Sequence, residues 1–326
     1  MIARRRILSV VALALFALVP AAVRAQGEAF PNHAIRFIVP FPPAGVVDVV
    51  ARMIGDKLST KYGQPVIVEN KAGAGGSIGT ELVAKAPADG YTILFVGTGF
   101  TVLPSIVKGL PWSPADFRAV LGIGSVPNVV VVHPDVPAKS MAELIALAKS
   151  SPTPLSFGSP GVGSSPHLSG ELLAQMAGIK LTHVPYKGQP DAVNDLLGGR
   201  LTMMPLSSAL AIPLVKSGKL RALAVTSGKR TTANPELPTV AEAASLPGYE
   251  VQPFTGVFVP AKTPEPIVRK LAADMMEILA MPDVKARMAG VGMELSPQPH
   301  VEFDAVIAAE IARWAEVIRK AGIVAQ

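Results

Sequence analysis

The sequence predicts a two-lobed α/β protein, and three observations predict it. Apolar, β-rich runs bounded by turn residues alternate along the chain with segments whose apolar residues recur every three or four positions. Two of the junctions between them, a tight Pro- and Gly-containing loop at residues 40–45 and a Gly/Pro/Ser-rich loop at 158–166, each lead from an apparent strand into a helical pattern. Roughly 300 residues follow the N-terminal segment, enough for one large core or two smaller ones. Because strand and helix alternate, each sheet is expected to be mainly parallel, with helices on both faces.

The chain opens on Arg4-Arg5-Arg6, an apolar core at 7–19 and Val23-Arg24-Ala25, the order of a secretory signal ending in a small-residue cleavage pattern. The apolar core is about 13 residues, short of the roughly 20 that span a bilayer. Residues 1–25 are therefore expected to be removed near Ala25, leaving an exported, soluble protein. The twin arginines before Ile7-Leu8 leave the export route open between the general secretory and twin-arginine systems. The formal charge of +6 comes largely from the signal, since without its four arginines 26 basic residues face 24 acidic ones. No Lys/Arg stripe interleaved with aromatics marks a nucleic-acid surface. There is no cysteine, which excludes a lipid-modified Cys and a disulfide framework.

Strands are expected at 35–39, 66–69, 92–96, 129–133, 155–157, 182–184, 201–204, 220–226 and 251–260. Helices are expected at 47–61, 78–86, 141–149, 166–176, 191–197, 209–217 and 267–280. A closing amphipathic helix, 301–321, carries Phe303, Val306, Ile307, Ile311, Trp314 and Ile318 on one stripe, the ordinary pattern of a docked helix. Residues 126–128 and 249–253, each just before a β-rich run, are the places for crossings between lobes. The division is then a signal at 1–25, a discontinuous lobe 1 at 26–127 plus 251–326, and lobe 2 at 128–250.

The first loop lies in Phe37-Ile38-Val39-Pro40-Phe41-Pro42-Pro43-Ala44-Gly45-Val46-Val47-Asp48, which reads as strand, tight loop and helix N-terminus. That geometry offers free backbone N–H groups and the positive helix end to an anion. The second loop, Gly158-Ser159-Pro160-Gly161-Val162-Gly163-Ser164-Ser165-Pro166-His167, has the same character. Two such loops suggest two lobes that each supply half of an anion site.

Catalytic readings are weaker. A Gly-x-Ser-x-Gly elbow is absent, although Ser164 and His167 lie close enough to imitate a nucleophile and base; a capping Ser beside a pocket His explains them as well. The histidines have no metal-ligand spacing. Gly73-Ala74-Gly75-Gly76-Ser77-Ile78-Gly79 invites a dinucleotide-loop reading but puts Ile78 at the third glycine position, so a helix start near a small ligand or a tight connection is preferred. Tyr186-Lys187-Gly188 places an aromatic and a cation at the carboxyl end of a strand, either a ligand contact or a surface turn.

With these loops in hand the chain resembles the solute receptors of tripartite tricarboxylate transporters, the Bug-type periplasmic binding proteins. The resemblance spans nearly all of the mature chain. It rests on Val39-Pro40-Phe41-Pro42-Pro43, Asn70-Lys71-Ala72-Gly73-Ala74-Gly75-Gly76, Asp89-Gly90-Tyr91-Thr92, Pro127-Asn128, the 158–168 loop, His183-Val184-Pro185-Tyr186-Lys187-Gly188, Gly218-Lys219-Leu220-Arg221, Pro238-Thr239-Val240-Ala241-Glu242 and Glu310-Ile311-Ala312-Arg313-Trp314. It implies a type II periplasmic-binding-protein fold that closes on a small organic carboxylate and delivers it to membrane permease subunits, as a monomer with no cofactor, metal or nucleic-acid partner and no chemistry of its own. Ligand contacts are expected from Phe41, Pro42, Pro43, Ala44, Gly45, Val47, Asp48, Thr98, Ser159, Gly161, Gly163, Ser164, Ser165, His167, Tyr186, Lys187 and Ser207.

Two departures from the family pattern bear on the ligand. Where the family usually has Gly-Gly-Gly-Thr before the aspartate, this chain has Ala44-Gly45-Val46-Val47, which removes a hydroxyl and adds two β-branched side chains. After Met203-Met204, where Phe-Asp is usual, Pro205-Leu206-Ser207 lacks the acidic residue. The alternatives are an exported serine hydrolase using Ser164 and His167, or a receptor of the same fold for an uncharged or aromatic ligand.

Overall fold

The computed structural model describes residues 30–323, so the signal segment expected at 1–25 lies outside the described residues. The first sheet starts with β1 (Ile35–Val39), which pairs in parallel with β2 (Val66–Asn70) on one side and β3 (Thr92–Val96) on the other. Helix α1 (Val46–Tyr62) makes the β1-to-β2 crossover, burying Val50, Ala51, Met53, Ile54 and Leu58 against the sheet. It ends at Gly63, whose φ of 63° is the left-handed conformation that closes a helix cheaply only in glycine. Helices α2 (Ser77–Ala84) and α3 (Gly99–Ile106) follow β2 and β3. Beyond β3 the order continues through β10 (Thr255–Pro260), β4 (Phe117–Ser125) and β11 (Glu294–Pro299), all antiparallel.

The second sheet has the order β7-β6-β8-β5-β9. Its strands are β5 (Asn128–Val132), β6 (Leu155–Ser159), β7 (Leu181–Pro185), β8 (Met203–Ser207) and β9 (Arg221–Val225), with α4 (Met141–Ser150), α5 (Ser165–Ala177), α6 (Gln189–Leu197) and α7 (Ser208–Lys216) between them. Four of the six strands in the first sheet and four of the five in the second run in one direction. β5 arrives from the first sheet and runs against both β8 and β9, while β10 returns and runs against β3 and β4. Each sheet thus contains a strand delivered from the other, and that strand runs against its neighbours.

The chain passes between the sheets where expected, through residues 126–127 and again between β9 and β10. The two passages are tied together: Thr226 N–H donates to Asn128 O (2.9 Å), Val251 N–H to Thr226 O (2.8 Å), and the Thr226 hydroxyl to Val251 O (2.8 Å). After the short α8 (Val240–Ala243), the chain returns to the first sheet with α9 (Glu265–Ala280), α10 (Pro282–Gly290) and α11 (His300–Ala321). Helix α11 buries Phe303, Ile307, Trp314 and Ile318 of the expected stripe and adds Val317, while Val306 faces solvent. One apolar cluster joins Leu94 and Phe258 of the first sheet, Phe100 and Val102 of α3, Trp314 of α11, Phe157 of the second sheet and Leu168 of α5.

Strands β4 and β11 and helices α3, α8 and α10 are absent from the expectations above. β4 contains Gly122 and Gly124, poor strand formers in isolation. A Cβ at Gly122 would stand 2.6 Å from the Phe303 ring, and one at Gly256 of β10 would stand at the same distance from it. The glycines make room for an aromatic side chain some 180 residues later in the case of Gly122, a requirement with no local signature.

A cleft walled by five helix N-termini

Five helices begin around one cavity of about 290 Å³. Helix α1 contributes Val46 and Val47, α3 Gly99 and its N-cap Thr98, α5 Ser165, Pro166 and its N-cap Ser164, α6 Gln189, and α7 its N-cap Ser207. All five follow the carboxyl ends of strands, where open α/β sheets place ligands. No charged side chain lines the cavity. Four of the five helices, α1, α3, α6 and α7, have no side-chain cap. The opening turn of a helix has N–H groups without intrahelical partners and carries partial positive charge, so the walls are electropositive without a single Lys or Arg.

The loop before α1 is held by Asp48. Its carboxylate accepts from Ala44 N–H (2.9 Å), Asn70 Nδ2 (2.8 Å) and Arg52 Nε (3.1 Å). Burial alone would raise the Asp48 pKa, but the bonds from Arg52, Asn70 and Ala44 together hold it below the usual carboxylate value. Asn70 also donates to Phe41 O (3.1 Å). Ala44 sits at φ 66°, a left-handed conformation that costs a residue with a side chain.

The loop before α5 is held by a spread of weaker bonds. Ser159 Oγ pairs with His183 Nε2 (2.6 Å) and accepts from Gly161 N–H (3.1 Å). Ser164 Oγ donates to Gly161 O (2.6 Å) and caps α5 by accepting from His167 N–H (3.4 Å). The His167 ring accepts from Gly163 N–H at Nδ1 (3.1 Å) and stacks on the His183 ring at 4.0 Å. Burial, with the neighbouring His167 adding to it, lowers the His183 pKa to about 4. Ser164 and His167 therefore share a backbone cap, and their side chains are engaged elsewhere.

Hydrogen-bond directions show which groups can still donate into the cavity. Ser165 Oγ accepts from Asn128 Nδ2 (2.5 Å), which leaves its own proton free. Ser207 donates to Gln189 Oε1 (2.9 Å), which leaves the Gln189 amide N–H₂ free. Thr98 is 8% exposed, and its hydroxyl is buried without a partner among the described residues. An orphan hydroxyl of that kind is unfavourable unless something outside the chain supplies its bond.

Of the residues singled out from sequence, Phe41, Val47, Thr98, Ser164, Ser165 and Ser207 line this cavity. The others act behind it, and three kinds of reason account for them. Asp48 braces the first loop, to which Pro42, Pro43, Ala44 and Gly45 belong, and none of these five lines the cavity. Ser159, Gly161 and His167 brace the second loop, and a Cβ on Gly163 would stand 2.8 Å from Ile106 of α3. Tyr186 turns away to donate to Asp195 (2.7 Å), and Lys187 does not line the cavity. The glycine stretch at 73–79 is a tight connection: a Cβ on Gly79 would meet Lys71 O and Pro40 at 2.9 Å. Gln189, Asn128, Val126, Pro253, Phe254 and Thr255 complete the walls. Among them Asn128 stands in a family motif, and Val126, Asn128 and Pro253 stand in the expected crossings; none was expected to line a cavity.

A larger cavity, about 640 Å³, lies beside the two passages and takes in Pro127, Gln252, Lys216, Lys285 and Glu294. No buried orphan polar atom points to a ligand there, and of the described helices only α7 begins at its wall. The smaller cavity is the one that combines five helix starts with a buried, unpartnered hydroxyl.

The fold and this cleft define a two-lobed binding protein, and comparison with known proteins gives the family. Residues 50–323 match the model of the tripartite tricarboxylate transporter family receptor, and the chain belongs to that family. It is 42% identical over 320 residues, 97% of this chain and 94% of the other, to a UPF0065 protein of the tcbD-tcbE intergenic region of Pseudomonas sp. (strain P51). Among solved structures it is similar to the periplasmic binding protein BugD, with TM-score 0.77 and 35% identity over 91% of this chain and all of that one. It is also similar to R. palustris Rpa4515 with adipate, with TM-score 0.80 and 36% identity over 90% and 99%. The described residues contain no helix long and apolar enough to cross a membrane.

Proposed function

We propose that this chain is an exported, monomeric periplasmic receptor that binds a small organic carboxylate in the cleft, closes over it and presents it to the membrane permease of a tripartite transporter without altering it. The observation that carries this reading is the convergence of five helix N-termini on a cavity with no charged lining and one buried, unpartnered hydroxyl. An anion is the ligand that free N–H groups and hydroxyl protons of this kind favour. The adipate bound by the related Rpa4515 supports a carboxylate. Closure would turn on residues 126–128 and 249–253, with 26–127 plus 251–326 and 128–250 as the moving bodies. A hydrolase reading is disfavoured because Ser164 Oγ donates to Gly161 O and His167 Nδ1 is taken by Gly163 N–H.

A panel of carboxylates tests it by thermal unfolding. A true ligand at 100 times its dissociation constant stabilises the folded state by about 2.7 kcal/mol. A panel of mono-, di- and tricarboxylates that leaves the melting temperature unmoved overturns the reading.

A further inference from the structure

The cavity has two unlike halves. The half built on the first sheet presents Phe41, Val46, Val47, Val126 and Phe254, with Thr98 as its one unpartnered hydroxyl. The half built on the second sheet presents Asn128, Ser164, Ser165, Gln189 and Ser207, of which Ser165, Gln189 and Asn128 retain protons to donate. Val46 and Val47 stand on the opening turn of α1, where two branched side chains narrow the approach to the N–H groups that a second anionic end would use. An ammonium group would fare no better, because no Asp or Glu lines the cavity.

Resting on the carboxylate reading above, we propose that the ligand is an amphipathic monocarboxylate: its carboxylate lies at Ser165, Gln189 and the start of α5, and its apolar body, linear, branched or aromatic, lies against Phe41, Val46, Val47 and Phe254. The cavity favours one charged end and disfavours a second. A second carboxylate would have to leave water for a wall of valine and phenylalanine whose side-chain hydroxyls are those of Thr98 and Thr255 alone, whereas a methylene or ring edge placed there gains the benefit of burial.

Hexanoate and adipate have the same carbon chain and differ in one terminal carboxylate, which makes them the deciding pair. Calorimetric titration of the mature protein is expected to show hexanoate binding more tightly than adipate. Affinity should also climb about fourfold for each methylene from butanoate to hexanoate, which follows from the free energy of burying a CH₂. Adipate binding as tightly as hexanoate, or more tightly, overturns the amphipathic assignment and leaves the carboxylate reading standing. Failure of every carboxylate, adipate included, overturns the carboxylate reading itself. Val47→Thr, checked for folding by its melting curve, should bring the two affinities closer by threefold or more, and an unchanged ratio removes α1 from the apolar wall. Phe254→Leu keeps that wall apolar and should preserve the preference for hexanoate; a reversal there also counts against the assignment.

Discussion

The loops before α1 and α5 do the same job by different means. Each carries a chain from a strand end to a helix start at the cleft, yet the first hangs on one carboxylate, Asp48, and the second on a network of serine hydroxyls, histidine rings and glycine amides. The first loop turns Phe41, Val46 and Val47 to the cavity; the second turns Ser164 and Ser165. A loop held by a single ionic anchor behind it can face the cleft with apolar residues. A loop held by its own hydroxyls presents polar ones, because the bracing groups and the cleft-facing groups come from the same short stretch.

The largest expected effect breaks the single anchor. Asp48→Ala removes the acceptor shared by Ala44 N–H, Asn70 and Arg52 and should cost about 3 kcal/mol in denaturant unfolding, whereas Ser159→Ala, which removes one node of the network, should cost about 1 kcal/mol. The reverse order would mean that the second loop has the dominant brace.

Acid should separate the loops next. The Asp48 carboxylate is held below its ordinary value, so its contribution is present above that value and is lost only as pH falls beneath it. His183 works in an earlier window. Its pKa is about 4 in the folded chain against about 6.5 for a free imidazole, so between those pH values the unfolded chain takes up a proton that the folded chain refuses, and stability declines as pH falls. Because the ring is only half-buried, the loss should be roughly 2 kcal/mol, less than the full shift implies. His183→Gln should flatten unfolding free energy across that window, and an unchanged slope would show that another group titrates there.

The smallest effect sharpens the comparison at Ala44, whose φ of 66° is the one strained point in the first loop. Ala44→Gly relieves the left-handed strain but loosens the unfolded chain, for a net gain of about 0.5 kcal/mol. A loss of stability instead would show that the Ala44 methyl contributes packing.

The alternation of strand and helix, the two passages near 126–128 and 249–253, and the two strand-to-helix loops were legible in the sequence, because hydrophobic period and Gly/Pro placement act over a few neighbouring residues. The same locality explains the omissions. Helix α3 contains Pro104 and β11 contains Pro297 and Pro299, so local propensity spoke against both. Around the cavity, the sequence reading included Ser164 and Ser165, which line it, and marked Val47 as a departure, but it could not separate them from Asp48, Ser159 and His167, which stand in the same short motifs and brace the loops from behind.

By itself the sequence determined an α/β chain with two glycine- and proline-rich loops leading into helices, since each of those choices is made by backbone conformations within a loop or a turn of helix. Only the tertiary structure decided that five helix starts share one cavity, that Phe303 of α11 requires Gly122 and Gly256, and that Gln189 and Phe254 line that cavity. Those facts depend on which strand lies beside which, and strand order is set by contacts between residues far apart in the chain.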